Sequence, residues 1–285
     1  MIFETDFIRY LVAKKTVDDR ALNRNVWDAL CRALPAQSAD APLHVIEVGA
    51  GIGTMLERLI ERGVLTHATY TAVDVDPRNI AEFKRRVPNA PGIAVQAHVS
   101  DVFEFCAQVR GQRAWDLLIA HAFLDLLDVP RALPQLLGLL RRGGLFYFTI
   151  NFDGATIFEP TIDPAFDALI ERAYHRTMDE RITNGVRAGD SRTGRHLFQW
   201  VRECGAEIIE AGGSDWVVFA GAHGYLHEEA YFLHYIVETL RAALENCREL
   251  DQSRLRDWIA RRHQQIEEGT LVYIAHQLDV VGRVP

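Results

Sequence analysis

Between residues 43 and 152, short apolar segments alternate with amphipathic ones in a way that admits few folds. Five of the apolar segments are rich in the β-branched and aromatic residues that strands favour: LHVIEV, ATYTAVDV, GIAVQAHV, WDLLIAH and LFYFTIN. The segments between them repeat apolar residues at helical spacing. Strands that alternate with helices pair in parallel and are covered on both faces, so we predict an α/β, doubly wound, Rossmann-like sheet.

A glycine cluster follows the first predicted strand. Gly49, Gly51 and Gly53 lie in the segment EVGAGIGT, where the strand passes into a helix. Glycine permits a tight turn that a ligand can approach closely, and the N–H groups of the turn and of the following helix face that ligand. Thr54 stands where the dinucleotide fingerprint needs its third glycine, and no G-K-[ST] follows. The turn therefore matches neither the NAD pattern nor a P-loop.

Acidic residues lie at the ends of three predicted strands. Glu47, two residues before Gly49, suits a ligand with an ammonium or sulfonium cation better than a pyrophosphate. Asp74 ends the second strand and could accept both hydroxyls of a ribose, and Asp101 follows the third strand and could accept from an adenine amino group. Each has a plainer explanation, since Asp74 suits a turn and Asp101 a helix cap. As a set, they favour a nucleoside site.

The segments EVGAGIGT, VDVD, SDVFEF, WDLLIAHAFLDL and LLRRGGLFYFTIN resemble the successive motifs of class I S-adenosylmethionine-dependent methyltransferases. The resemblance covers residues 43 to about 152 and continues less specifically to the last strand. It implies a seven-stranded sheet whose last strand is antiparallel. It also implies that S-adenosylmethionine binds over the first strands.

Carried over to this sequence, the resemblance assigns roles to individual residues. It implies that Glu47, Gly49 and Gly51 hold the methionine part of the cofactor and that Asp74 holds the ribose. Asp101 and the backbone of Val102 would hold the adenine, and His121 would offer its backbone carbonyl to the cofactor's amino group. The complete predicted set of cofactor-binding residues is Glu47, Gly49, Ala50, Gly51, Gly53, Asp74, Val75, Ser100, Asp101, Val102 and His121.

We expect a single methyltransferase domain over residues 1–285. Helices precede the core in 1–42, one of them predicted over 18–34, and residues 43–152 form the cofactor-binding core. Helical inserts at 153–195 and 222–268 are expected to form a substrate cap. The basic spots AKK at 13–15 and FKRR at 83–86 are interpreted as solvated helix faces.

A general base is needed only if the methyl acceptor arrives protonated. His121 and Asp125 are the first candidates, because the loop after the fourth strand faces the predicted pocket. Further histidines considered for this role are His196, His223, His227 and His234. Each of these side chains could equally be structural. Arg192 and Arg195 could hold an anionic acceptor, and Arg20 could hold the carboxylate of the cofactor.

The aromatic helix that carries Tyr231, Phe232 and Tyr235 could be core or an apolar wall for the acceptor. We expect transfer of a methyl group to an oxygen or nitrogen of a small molecule. The alternatives are an NAD(P)-dependent oxidoreductase and a non-catalytic cofactor-binding protein on the same fold. No N-P-P-Y tetrapeptide follows the fourth strand, which lowers the expectation of a DNA or glutamine substrate.

The formal net charge of −8 argues against a nucleic-acid partner. No segment reaches the roughly 18 uninterrupted apolar residues of a membrane span, so no membrane partner is expected. The four cysteines are far apart and fit no metal or disulfide spacing, and acids interrupt the first apolar run. We therefore expect a cytoplasmic protein without a metal site; the pattern leaves monomer and homodimer equally open.

Overall fold

The computed structural model describes residues 5–87, 90–111, 115–183 and 185–285. Ten strands run through this part of the chain: β1 Leu43–Val48, β2 Ala68–Asp74, β3 Ile93–Val99, β4 Trp115–His121, β5 Leu140–Glu159, β6 Ile182–Thr183, β7 Val186–Arg187, β8 Glu207–Gly213, β9 Trp216–Val218 and β10 Val272–Arg283. The helices are α1 Phe7–Ala21, α2 Arg24–Ala33, α3 Thr54–Glu61, α4 Pro77–Arg86, α5 Val102–Gln108, α6 Val129–Leu137, α7 Pro164–Asp179, α8 Thr193–Glu203, α9 Glu229–Leu244 and α10 Gln252–Glu267, with a short 3-10 turn, η1, at Leu124–Leu126.

The main sheet has the order β3-β2-β1-β4-β5-β10-β8, and β9 adds an eighth strand beside β10. Neighbours from β3 to β5 pair in parallel, whereas β10 is antiparallel to β5, β8 and β9. The predicted Rossmann-like sheet with an antiparallel last strand is therefore confirmed, with β9 as an addition. A separate hairpin, β6–β7, follows α7.

Alternate residues of the central strands enter two hydrophobic cores, one on each face of the sheet. In β4, Leu117 and Ile119 face the core shared with α1, α2 and α3, while Leu118 and Ala120 face the core shared with α5, α6 and α8. This alternation follows from the period of two in strand side chains. Both faces are apolar because both are covered by helices, as expected for parallel strands.

Two predicted element boundaries are wrong. The single helix expected over 18–34 is two helices, because Asn23 accepts from the N–H groups of Asn25 and Val26 and caps α2. Strand β5 has 20 residues and continues to Glu159, so the insert expected to begin at 153 starts within the sheet. Among the described residues, no helix combines the length and apolarity that crossing a membrane requires.

The glycine loop after β1 needs its glycines for packing. Gly49 has φ +66°, and a Cβ there would lie 2.3 Å from the ring of Phe123, next to η1. Gly53 has φ +88°, caps α3, and would place a Cβ 2.8 Å from Phe83. At Gly51, by contrast, a Cβ would meet only the side chain of Leu11 in α1, at 3.7 Å.

Two arginine–glutamate pairs join α1 to α9. Arg20 donates to both carboxylate oxygens of Glu229, at 2.5 and 2.9 Å, and Glu229 is fully buried. Arg9 donates to Glu228, and these two side chains are 52% and 47% exposed. Both pairs join an arginine to a glutamate between the same two helices, and they differ mainly in burial. Burial determines how much an ion pair contributes to the free energy of unfolding.

Arg20→Ala leaves Glu229 buried without its charge partner, and we expect the free energy of unfolding to fall by roughly 3 kcal/mol. The matched change Arg9→Ala removes an exposed pair and a contact with the ring of Tyr231, and should cost less than about 1 kcal/mol. Urea unfolding of both variants measures the difference. Equal losses would contradict the importance of burying Glu229.

Candidate active site

A cavity of about 570 Å³ lies at the carboxyl edge of the sheet, over the ends of β1 and β4. The strand order reverses at this point, because the chain runs outward from β1 through β2 to β3 and then returns to β4 on the other side of β1. Ligands of open α/β sheets bind at such switch points. The glycine loop is therefore placed where the topology provides a binding site.

Backbone strain is concentrated where strands end at this cavity. Ala122, after β4, has φ +49°, and Ile150, within β5, has φ +57°, a conformation that β-branched residues rarely adopt. The N–H of Ile150 donates to Asp279 of β10 at 2.8 Å, and the N–H of Ala122 donates to Thr149 O at 2.8 Å. Such strain is found preferentially at functional sites, where the surrounding packing maintains it.

One part of the cavity wall, here called the glycine-loop end, is built by β1, β2 and the loops that follow them. It contains these predicted cofactor residues: Glu47, Gly49, Ala50, Gly51, Asp74 and Val75. His121, at the end of β4, also lines the cavity. The predicted residues Gly53, Ser100, Asp101 and Val102 are not among the lining residues.

The segment 100–102 nevertheless lies beside the cavity. The N–H of Ser100 donates to the carbonyl oxygen of Asp74 at 3.0 Å. Asp101 accepts from the N–H groups of Phe103 and Glu104, so it acts as the N-cap of α5, the plainer of the two roles considered for it.

Asp74 fastens the glycine loop to β2. Its Oδ2 accepts from the N–H of Gly51 at 2.8 Å, and its Oδ1 accepts from Asp76 N and Asn79 Nδ2. A carboxylate has about four lone-pair positions, and three of them are used here, so Oδ2 can still accept from a ligand. Asp74 thus both shapes the loop and lines the cavity.

Glu47 is almost completely buried at the end of β1. Among the residues that the structure describes, its side chain hydrogen-bonds only to the hydroxyl of Tyr70, which donates to Oε2 at 2.6 Å. Burial raises the pKa of Glu47 to about 8, although the Tyr70 hydrogen bond and the charge of Arg58 act in the opposite direction. Without a cationic ligand, this carboxyl therefore holds a proton at neutral pH.

A buried carboxylate, Asp18 of α1, ties that helix over the cavity. Asp18 Oδ2 lies 2.5 Å from Lys14 Nζ and 2.9 Å from His121 Nε2, and Oδ1 accepts from Trp216 Nε1 at 2.8 Å. Arg58 of α3 is 3.6 Å away. Burial alone would raise the pKa of Asp18, but Lys14, His121 and Arg58 together hold it below its usual range.

Both ring nitrogens of His121 are engaged within the protein. Nε2 faces Asp18, and Nδ1 lies 2.7 Å from the hydroxyl of Thr149. Because the carboxylate can only accept, Nε2 carries the proton and Nδ1 accepts from Thr149. Burial lowers the pKa of His121 to about 4, so the ring is neutral at physiological pH.

The other part of the cavity, here called the aromatic end, is lined by residues of α1, β5, α7, β9, α9 and β10. Its aromatic side chains are Phe7, Tyr10, Phe152, Tyr174, Trp216, Tyr235 and Tyr273. Tyr10 and Tyr235 stack with ring centroids 4.1 Å apart. Asp125 of η1 also lines this cavity, and its Oδ1 is buried without a hydrogen-bond partner among the described residues.

Most other residues considered from the sequence lie away from the cavity. Tyr235 lines it, whereas Phe232 is core and Tyr231 hydrogen-bonds to Asp6. Arg20 pairs with Glu229, Arg195 pairs with Asp153, and His196 lies 2.5 Å from Asp190. Arg192, His223, His227 and His234 are likewise not lining residues. Among the described residues, no group of three or more histidine, cysteine, aspartate or glutamate side chains is placed to hold a metal ion.

Several cavity residues were not predicted. Lys14 was assigned to a solvated helix face, which is wrong because it is 6% exposed and lines the cavity. Asp18 falls at the beginning of the helix predicted over 18–34, with no sign of its burial, and no sequence pattern marks Arg181. One usable signal is that Leu11, Lys14 and Asp18 recur at helical spacing on one face of α1.

Comparison with known proteins agrees with this geometry. Residues 46–146 match the family model of a methyltransferase domain. A provisionally assigned type II methyltransferase from Anaeromyxobacter dehalogenans has the same fold, with a TM-score of 0.51 and 19% identity over 92% of this chain and 97% of that one. The matched segment, at the switch point of this sheet, is the core of a class I S-adenosylmethionine-dependent methyltransferase. S-adenosylmethionine is the cofactor of that class.

Two further similarities are more limited. A ribosomal RNA small subunit methyltransferase A from Salinibacter ruber is 43% identical over 53 residues, which is 19% of this chain and 17% of that protein. The match thus spans less than a fifth of the relative. A provisionally assigned sarcosine dimethylglycine methyltransferase from Galdieria sulphuraria has a TM-score of 0.48 and 13% identity, covering 99% of this chain and 91% of that one.

The raised pKa of Glu47 predicts a pH-dependent difference between the protein and its Glu47→Gln variant. Between pH 4.5 and about 8, the carboxyl of Glu47 is protonated in the folded chain and ionised in the unfolded chain. The free energy of unfolding is therefore unaffected by this difference below that range and falls as the pH rises through it. The amide does not titrate. We expect the variant to gain stability relative to the wild type as pH rises from about 5 to about 8, and to gain nothing further above about 9. Urea unfolding across this range measures the gain; a constant difference would contradict a protonated Glu47.

Proposed function

We propose that this protein transfers a methyl group from S-adenosylmethionine to an oxygen or nitrogen atom of a small molecule held in the aromatic end of the cavity. The observation that carries the proposal is that one cavity is lined both by the glycine loop and by the aromatic side chains. A donor and an acceptor bound in it would be adjacent, and holding two reactants together supplies much of the rate enhancement in such displacements.

The glycine-loop end fits the cofactor. Gly51 leaves its side of the loop open, and Asp74 presents carboxylate oxygens beside it. In the proposal, Glu47, Gly49, Ala50 and Gly51 hold the methionine part. Asp74 and Val75 contact the ribose in the proposal, and Ser100, Asp101 and Val102 contact the adenine. The carbonyl of His121 accepts from the amino group of the cofactor, and Gly53 begins α3 beside the loop. When bound, the cofactor supplies an electrophilic methyl group on sulfonium sulfur and leaves as a neutral thioether.

Arg20 is not available to the cofactor's carboxylate, because it is occupied by Glu229. Lys14 lines the cavity on the same face of α1 as Leu11, which approaches Gly51, but it is likewise occupied, by Asp18. Neither side chain is therefore assigned to the cofactor's carboxylate.

Asp125 is the proposed general base. Its carboxyl has an unpartnered buried oxygen, and burial raises its pKa, which brings a carboxylate closer to the basicity that proton transfer at neutral pH requires. His121 was the other candidate. Because both of its nitrogens are occupied by Asp18 and Thr149, we assign its side chain a positioning role that fixes α1 to the end of β4.

The position of the cavity and the charge of the protein favour a small molecule over a nucleic acid as the methyl acceptor. Its aromatic end lies beneath α1, α7 and α9, and the net charge of −8 would repel a phosphate backbone. The relative from Salinibacter ruber is named for ribosomal RNA, but it matches only 53 residues.

Asp74→Asn should weaken binding of S-adenosylmethionine by about 1–3 kcal/mol, because the amide loses the charge-assisted hydrogen bonds proposed to the ribose. Isothermal titration calorimetry measures the dissociation constant. Asp251→Asn, which changes the N-cap of α10 and not the cavity, is the matched control and should bind normally. NADH titrated in parallel should not bind; an unchanged constant for Asp74→Asn would remove Asp74 from the site.

Turnover tests the reaction itself. The protein, incubated with methyl-labelled S-adenosylmethionine and a metabolite extract, should transfer label to a small molecule, which mass spectrometry identifies. On that acceptor, Asp125→Asn should lower kcat by roughly 100-fold or more while leaving cofactor affinity unchanged, as expected for loss of a general base. Cofactor binding without any labelled product would favour a non-catalytic binding protein instead.

A further inference from the structure

Two charged groups that line the cavity form no ion pair within 4 Å in the part of the chain that the structure describes. One is Asp125, whose Oδ1 accepts no hydrogen bond although it is buried. The other is Arg181, which lines the same cavity and has no carboxylate within 4 Å of its guanidinium among those residues. An unpaired charge in a partly buried site is unfavourable unless a ligand or water satisfies it.

Arg181 is held in a defined place. It lies between the end of α7 and the β6–β7 hairpin, and its backbone bonds to Met178 O and Ala188 N at 3.3 and 2.9 Å. Beside it, Gly189 has φ +107°, and a Cβ there would lie 3.3 Å from the carbonyl oxygen of Asp125 and 3.6 Å from Arg181 Nη1. The guanidinium is therefore fixed next to η1, on the same side of the cavity as Asp125.

Of the described residues that line the cavity, one other is a cation, Lys14, and it is already compensated by Asp18 at 2.5 Å. Arg181 influences both Asp125 and Tyr174, whose pKa values it lowers against the larger effect of burial. Burial raises the pKa of Tyr174 to about 12, so its hydroxyl stays neutral and can donate a hydrogen bond. The aromatic end therefore offers an anion a guanidinium that forms no ion pair within 4 Å among the described residues, and a neutral donor.

On the basis of the methyl transfer proposed above, we propose that the acceptor is a small aromatic acid, with its carboxylate bound by Arg181 and the hydroxyl or amino group to be methylated facing Asp125. The planar guanidinium matches a carboxylate in a bidentate geometry. The aromatic walls, among them the stacked Tyr10 and Tyr235, suit a flat apolar ring. Asp125 disfavours a second negative charge near the reacting atom, which argues for a monoanion.

The test uses the full chain loaded with S-adenosylhomocysteine, and the chain without it. The probes are 4-hydroxybenzoate and anthranilate, each compared with its methyl ester, in which the carboxylate charge is removed. We expect at least one acid to bind the loaded protein roughly 10- to 100-fold more tightly than its ester, the range that one charge-assisted bidentate pair provides. The same acid should accept label from methyl-labelled S-adenosylmethionine.

Arg181→Met should abolish the preference for the acid over the ester and raise the KM of the acid, while leaving the cofactor's dissociation constant little changed. Arg181→Lys should retain part of the preference, because lysine keeps the positive charge but cannot form the planar bidentate hydrogen bonds of a guanidinium. Arg172→Met, an exposed arginine on α7 outside the cavity, is the matched control and should keep the full preference.

The outcomes separate the two proposals. If S-adenosylhomocysteine binds normally but acids and esters bind alike, or neither binds, the substrate class is wrong and methyl transfer stands. If Arg181→Met keeps the acid preference, Arg181 is not the carboxylate site. If the cofactor does not bind, the proposed function fails, and acid binding to the unloaded chain still decides whether Arg181 recognises a carboxylate.

Discussion

The buried carboxylate of Asp18 is the interaction on which the architecture of the cavity depends. It joins elements far apart in the sequence, because Lys14 lies in its own helix, His121 ends β4 and Trp216 lies in β9, 198 residues along the chain. A carboxylate that is 1% exposed is tolerable only when its hydrogen-bonding capacity is filled. The same contacts that satisfy it therefore also hold α1 across the mouth of the sheet.

Asp279 plays a comparable part on the other side of the cavity. It is fully buried in β10 and accepts from the backbone N–H groups of Asn23 and Ile150, each at 2.8 Å. One oxygen thereby supports the strained turn of β5, and the other fixes the start of α2. Burial raises the pKa of Asp279 to about 6, so its charge is less firmly maintained than that of Asp18, which has cationic partners. Two buried acids thus organise the cavity by different means: one through ion pairs, the other through backbone donors.

The sheet could be predicted from sequence because its determinants are local. The glycine loop, the period of two in β4 and the antiparallel β10 follow from segments of ten residues or fewer, or from the family resemblance. The N-terminal helices could not be predicted as well. The segment AKKTVDDR looks like a solvated helix face, and only the distant side chains of Trp216 and His121 make Lys14 and Asp18 buried.

The same distinction applies to the candidate site. Asp74 and Glu47 are found from sequence because they sit at fixed distances from the glycines. Arg181 has no such signal, since it lies between α7 and the β6–β7 hairpin and its place beside η1 is set by tertiary contacts. Arginines of ordinary appearance, such as Arg195, looked equally suited to bind an anion, yet Arg195 is compensated by Asp153. Whether a charge is free for a ligand is a property of tertiary contacts, not of the segment that carries it.

The net charge of −8 consequently says little about what a ligand meets inside the cavity. Lys14 and Asp18 cancel, and Glu47 is neutral for as long as burial keeps it protonated. A sulfonium or ammonium group placed beside Glu47 would favour the ionised carboxyl, so binding a cation there should release a proton below about pH 8. The side chain of Glu47 can thus be neutral when no cation is near and negative when one is bound. This avoids the cost of maintaining an unpaired buried charge before the ligand arrives.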